Sequence, residues 1–157
     1  MLGSNVEKER NLPEAVRLLR ERVEIVAKSA VYETAPVGTT DQPPFWNAAI
    51  LIEWSADAVA LKQQLGDIEQ QLHRVRTDDP NAPRTIDIDI TLFGRDVFEY
   101  GGRPIPDPEL LEFAHIAVPV ADVVGEWAHP VTGERIAETA GRLNRPNAIR
   151  KLPEVNL

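Results

Sequence analysis

Apolar positions near the start of the chain recur at helical spacing and then change to strict alternation, and that change orders the elements. Leu12, Val16, Leu19 and Val23 fall three and four residues apart, and Pro13 suits a first helical position. The spacing predicts an amphipathic helix of about three turns, with Arg17, Arg20 and Glu21 toward water. Glu24 to Thr34, rich in Val, Ile, Ala, Tyr and Thr, reads as a strand ending at Pro36-Val37-Gly38. After a loop over 39–44, Phe45 to Trp54 alternates, with Trp46, Ala48, Ile50 and Ile52 on one face and Phe45, Asn47, Ala49 and Leu51 on the other. This second strand is expected antiparallel to the first.

Ser55 can cap a helix from about Asp57 to His73, whose apolar stripe is Leu61, Leu65, Ile68 and Leu72. Glu69 lies roughly 40° from Leu65 around that helix, at the stripe's edge, where it can face a cleft. Arg76 to Thr85 is polar, aperiodic and holds two prolines, which predicts a mobile surface loop. Ile86 to Phe93 alternates again, with Asp87 and Asp89 on one face and Ile86, Ile88 and Ile90 on the other. Turn-rich residues run to Pro108, a short piece continues through Val124, and a last helix is expected over Glu134 to Leu143. The order helix, strand, strand, helix, strand is βαββαβ without its first strand: an α+β sandwich with helices on one face of an antiparallel sheet. Two residues before Gly3 are too few for a strand, so the first one is expected to be truncated.

Composition narrows the class. At 157 residues, 43% apolar and 27% charged, the chain reads as a single domain over 1–157. It has no cysteine, which excludes disulfides, thiol catalysis and thiolate metal sites. Its charge of −8 argues against nucleic-acid or anionic-lipid partners. Apolar stretches of about five residues fall far short of a membrane span, and the first residues lack a secretory pattern, so the cytoplasm is the expected location.

Asp87-Ile88-Asp89 places two carboxylates on one strand face, roughly 6.5 to 7 Å apart at Cα. Such a pair needs counter-charge, which a hard divalent cation supplies, magnesium best; the bland alternative is a solvated strand face. Arg74, Arg76 and Arg84 flank the loop that runs into the aspartates, with Glu69 one helical turn earlier. Guanidinium groups beside paired carboxylates suit a polyphosphate; otherwise they are surface partners of Asp78, Asp79 and Glu69. No P-loop, G-x-G-x-x-G or H-E-x-x-H occurs.

Five segments occur in order: Leu2-Gly3-Ser4-Asn5; Ser29 to Gly38 (SAVYETAPVG); Asp41 to Ala49 (DQPPFWNAA); Ile68-Glu69 with Arg74-Val75-Arg76; and Ala82 to Asp89 (APRTIDID). Together they resemble the 6-hydroxymethyl-7,8-dihydropterin pyrophosphokinase family from residue 2 to about 94, and more loosely to about 143. The resemblance implies a ferredoxin-like core and transfer of a diphosphoryl group from ATP to the pterin's hydroxymethyl oxygen, with AMP released. By position, Asp87 and Asp89 would hold two Mg²⁺ ions. Arg74, Arg76 and Arg84 would engage the phosphates as catalytic groups, and Glu69 would face the nucleotide. Thr34, Val37, Phe45 and Asn47 would hold the pterin, Phe45 by stacking, with His115 as the second stacking ring. A monomer is expected.

The chain departs from the family pattern in three places. Pro106-Asp107-Pro108 stands where Pro-His-Pro is usual, Phe113-Ala114-His115 where Arg-x-Phe is usual, and Asn81 where some members carry a loop tryptophan. His73 and His129 read as structural. Two rival readings remain, a D-x-D nucleotidyltransferase and a non-catalytic ferredoxin-like nucleotide-binding module.

Overall fold

A computed structural model describes residues 1–36, 42–75, 77 and 82–157. The site-bearing core runs β1 (Leu2–Ser4), α1 (Lys8–Arg20), β2 (Glu24–Lys28), β3 (Val31–Thr34), β4 (Phe45–Ala48), β5 (Ile50–Glu53), α2 (Ala58–Gln71) and β6 (Asp87–Ile88). A hairpin of β7 (Phe98–Tyr100) and β8 (Arg103–Ile105) follows, then a 3-10 turn (Pro108–Leu111), α3 (Ala114–Val124), α4 (Ile136–Leu143) and β9 (Arg150–Leu152). The main sheet has the order β6-β1-β4-β3-β9, antiparallel at every pairing. Leaving β9 aside, that is the four-one-three-two order of a ferredoxin-like α+β core, as the resemblance implied.

The first strand is short but present. Leu2–Ser4 pairs with β4 on one side and β6 on the other, so three residues hold the middle of the sheet. Leu2 and Ser4 are buried, and two adjoining ladders order a segment too short to show a period of its own. The helices also differ from expectation, since they cover both faces of the sheet. Leu12, Val16, Leu61, Leu65 and Ile68 of α1 and α2 pack with Leu2, Ala48 and Ile88 on one face. Ile116, Ala117 and Val120 of α3 pack with Ile136 and Ala140 of α4 and with Ala49 on the other. Neighbouring Ala48 and Ala49 thus serve opposite cores, as the pleat requires.

Several boundaries move for local reasons. Helix α1 begins at Lys8, with Pro13 inside it; proline's missing N–H leaves only the exposed Glu9 carbonyl without its helical partner. Asp57, rather than Ser55, caps α2, its carboxylate accepting from Ala60 N at 2.8 Å. The strand expected over 86–93 makes ladder pairs only at Asp87–Ile88, because its neighbour β1 is itself short.

Each of the two long strands read from the sequence is split. Ser29 N donates to Ala49 O at 2.9 Å, while Ser29 Oγ accepts from Ala49 N at 2.8 Å and donates to Ala30 O at 2.6 Å. A side-chain hydroxyl replaces a backbone carbonyl there, so the hairpin bends into β3–β4 and β2–β5. Asp122 of α3 fastens the corner, accepting from Ala30 N at 3.1 Å and from the Tyr32 hydroxyl at 3.0 Å. Ser29→Ala would leave the buried Ala49 N–H without its acceptor. It is expected to lower unfolding free energy by about 1–3 kcal/mol in urea titration with unchanged far-ultraviolet circular dichroism.

Candidate active site

Alternation along three neighbouring strands brings the chemistry together. Tyr32 of β3 lies opposite Asn47 of β4, Asn47 opposite Gly3 of β1, and Gly3 opposite Asp87 of β6. The four therefore form one cross-strand row on one sheet face. Thr34 and Phe45, two residues along from Tyr32 and Asn47, share that face, and Asp89 extends it beyond Asp87. Gly3 carries no side chain, so the row has a low floor between Asn47 and Asp87; a Cβ there would come 3.4 Å from Asn47 Oδ1.

A cavity of about 510 Å³ opens over this face. Thr34, Phe45, Asn47, Arg84, Asp87, Asp89 and His115, all expected site residues, line it. One end is aromatic and amide-lined. Asn47 Nδ2 donates to Thr34 Oγ1 at 2.9 Å, which fixes the amide, and the His115 and Phe113 rings lie 5.4 Å apart at a 35° tilt. Burial holds His115 below the ordinary imidazole value, which favours the uncharged ring. The other end is ionic.

There Arg84 Nη1 donates to Asp87 Oδ2 at 2.7 Å, and Arg74 Nε lies 3.8 Å from Asp87 Oδ1. Asp89 Oδ1 accepts from Lys62 Nζ at 2.9 Å and from Arg103 Nη1 at 3.0 Å. Burial alone would raise the Asp89 carboxyl, but Lys62 and Arg103 outweigh it and hold the group below its usual range. Asp107 goes the other way, raised by burial and then by the Asp89 charge. Its carboxylate accepts from Glu109 N at 2.9 Å and caps the 3-10 turn, while its own N–H reaches Thr91 O.

Glu69, expected to face a cleft, is instead 3% exposed and does not line the cavity; it lies beneath the sheet because its Oε1 accepts from the buried Ile88 N at 2.8 Å. This carboxylate grips the peptide between the two aspartates and so sets their height. Asn5 does comparable work at the loops. Its Oδ1 accepts from Arg84 N at 2.7 Å, and its Nδ2 donates to Gln42 Oε1 and Pro43 O. Ser4 Oγ donates to Thr85 O at 2.6 Å. The end of β1, Gly3-Ser4-Asn5, thus ties together the segments that deliver Arg84 and Phe45. His129 is structural, as expected, with Nδ1 accepting from Val131 N and Thr132 N. Val37, Arg76 and Asn81 lie outside the described residues.

Two cationic residues at the site were not anticipated, Lys62 and Arg103. Lys62 sits within a helical pattern and has no local signature. Arg103 could have been found, since Gly101-Gly102, both at positive φ, is a two-residue hairpin signal that places Arg103 directly after the turn.

The fold is thus that of a ferredoxin-like α+β protein with a paired-carboxylate cleft, bordered by lysine and arginine, that is continuous with an aromatic slot. The family model for 7,8-dihydro-6-hydroxymethylpterin-pyrophosphokinase (HPPK) matches residues 1–125, and the chain belongs to that family. It is 37% identical over 125 residues to the 2-amino-4-hydroxy-6-hydroxymethyldihydropteridine pyrophosphokinase of Bacillus subtilis (strain 168), a match covering 78% of this chain and 74% of that protein. It is 36% identical over 115 residues to the folic acid synthesis protein fol1 of Pneumocystis carinii, covering 73% of this chain and 15% of that protein. With the folate synthesis bifunctional protein of Arabidopsis thaliana it shares 33% over 126 residues, 79% of this chain and 26% of the relative. The chain therefore matches only a minor part of these last two, much longer proteins. Among the described residues, no helix is long and apolar enough to cross a membrane.

Glu69→Ala removes the acceptor for the buried Ile88 N–H. Thermal and urea unfolding are expected to show a loss of about 1–3 kcal/mol. Asp87→Ala, which leaves no backbone group stranded, is expected to cost less in the same titration.

Proposed function

We propose that this chain is a cytoplasmic, monomeric pyrophosphokinase that transfers a diphosphoryl group from ATP to the hydroxymethyl oxygen of 6-hydroxymethyl-7,8-dihydropterin. The observation that carries the reading is the cross-strand row Asn47–Gly3–Asp87. It sets a heterocycle slot immediately beside a carboxylate pair in one cavity, so that a flat acceptor and a polyphosphate donor can meet over Gly3.

In this reading Asn47, its amide held by Thr34, faces the polar edge of the pterin, and Phe45 and His115 take its two faces. Val37 belongs to the same slot by sequence position. The acceptor hydroxyl attacks the β-phosphorus, the bond from that phosphorus to the oxygen bridging the α-phosphate breaks, and AMP leaves with that oxygen. Arg74, Arg76, Arg84 and Arg103 neutralise and orient the triphosphate. For Arg84, whose side chain is 28% exposed, and Arg103, at 69%, this means exchanging a carboxylate partner for a phosphate. Glu69 contributes to the nucleotide site by holding the aspartate-bearing strand.

The donor set fits magnesium. Asp87 and Asp89 offer hard oxygen ligands on one face, and no third His, Cys, Asp or Glu completes a protein cage among the described residues. Magnesium is commonly held in this manner, by one or two carboxylates with the remaining positions filled by phosphate oxygens and water. Two Mg²⁺ ions bound there would lower the pKa of the acceptor hydroxyl and offset charge on the bridging oxygen.

Incubation with ATP, Mg²⁺ and the reduced pterin alcohol should yield AMP and the pterin diphosphate by chromatography; pyrophosphate instead would mark a nucleotidyltransferase, and no product a binding module. Asp87→Ala and Asp89→Ala are each expected to cut turnover at least 10³-fold, in keeping with the size of electrostatic contributions to transfer, while far-ultraviolet circular dichroism stays unchanged. Near-normal turnover in either refutes the assignment. Arg84→Ala should lower kcat by roughly 10²-fold or more while pterin affinity, read by calorimetry, changes less than about threefold.

A further inference from the structure

Lys62 differs in how it is held from Arg103, the other cation on Asp89. It reaches the site from within α2, and its Nζ donates both to Asp89 Oδ1 at 2.9 Å and to the Ile88 carbonyl at 2.7 Å. Its side chain is 21% exposed, against 69% for Arg103, which shares the same carboxylate oxygen. An exposed arginine on a hairpin can swing to an incoming phosphate. A lysine anchored to a backbone carbonyl, with most of its stem packed, stays.

We propose that Lys62 is a positioning residue that serves as the resident counter-ion of Asp89: it keeps Oδ1 occupied and leaves the other carboxylate oxygen as the ligand for a divalent cation. This inference rests on the pyrophosphokinase reading above and adds an order of binding to it. A fixed ammonium beside the carboxylate repels a bare divalent ion. The free protein then holds metal weakly, and the metal comes in with the triphosphate, whose own negative charge outweighs the lysine. Lys62 also holds the carboxylate at one orientation, so the nucleotide-borne ion meets a single oxygen rather than a pivoting group.

The test is a Mn²⁺ titration followed by electron paramagnetic resonance, without turnover, in the presence and absence of α,β-methylene ATP. The wild-type chain is expected to bind Mn²⁺ tightly only with the analogue. Lys62→Met and Lys62→Gln should each bind nucleotide-free Mn²⁺ about tenfold more tightly than wild type, the scale expected for removing one unit charge roughly 5 Å from a divalent ion under water-like screening. The glutamine variant retains a hydrogen-bond donor and similar length, so it reads the charge alone and decides the matter if the methionine variant does not fold. Unchanged nucleotide-free affinity in the folded variants overturns the role of Lys62 while leaving the pyrophosphokinase reading intact. Wild-type protein that binds no Mn²⁺ even with the analogue overturns both.

Discussion

Charge balance at Asp87 and Asp89 is the condition on which the site depends. Two ionised carboxylates at alternate positions of one strand repel each other, and both are largely withdrawn from water. Four separate parts of the chain supply the compensation. Lys62 comes from the body of α2, Arg74 from just beyond its end, Arg84 from the segment entering β6, and Arg103 from the start of β8. The helix, the connection and the hairpin can all be seen as means of delivering positive charge to one point. The cations also differ in exposure, with Arg74 the most buried, Lys62 and Arg84 partly buried and Arg103 open.

Geometry beneath the charges comes from the sheet's period of two. Once Gly3 is paired on both sides, Asn47 and Asp87 must lie across from it on the same face, and no loop conformation decides the matter. Glu69 then locks the height of the aspartate strand from the opposite face through the Ile88 N–H. The cleft is thus set by backbone ladders and one buried carboxylate, while Arg84 and Arg103 reach it from the connecting segments.

This division explains what could be read in the sequence. Alternation in 45–54 and 86–93 placed Asn47 and Phe45, and Asp87 and Asp89, on common faces, and the structure lines one cavity with all four. Helix α2 was equally legible, because periodicity survives packing, but Glu69, expected to face a cleft, is buried against the Ile88 N–H. Three things were not. The first strand is three residues long and owes its order to neighbours 40 and more positions away. The breaks at Ser29 and Ala49 depend on one hydroxyl meeting one amide across the hairpin. Lys62 is an unremarkable lysine in a helix until β6 is laid beside it. Each is a long-range contact, and nothing in the local pattern encodes such contacts. Covering of both sheet faces was missed for a related reason, since Ala114–Val124 has an apolar surface whose target only the tertiary fold defines.

Strand β9 lies beyond residues 1–125, which the family model matches, and it completes the sheet. It pairs along β3, where Arg150 Nη2 reaches Glu33 Oε1 at 2.6 Å and Lys151 Nζ stands 5.9 Å from the Tyr32 ring centroid. Without that cover, β3 would present a bare row of amides and carbonyls to any neighbouring molecule. The sheet's edge is therefore the three-residue β9, which carries Arg150 and Lys151, and a short, charged edge offers little to a neighbouring strand.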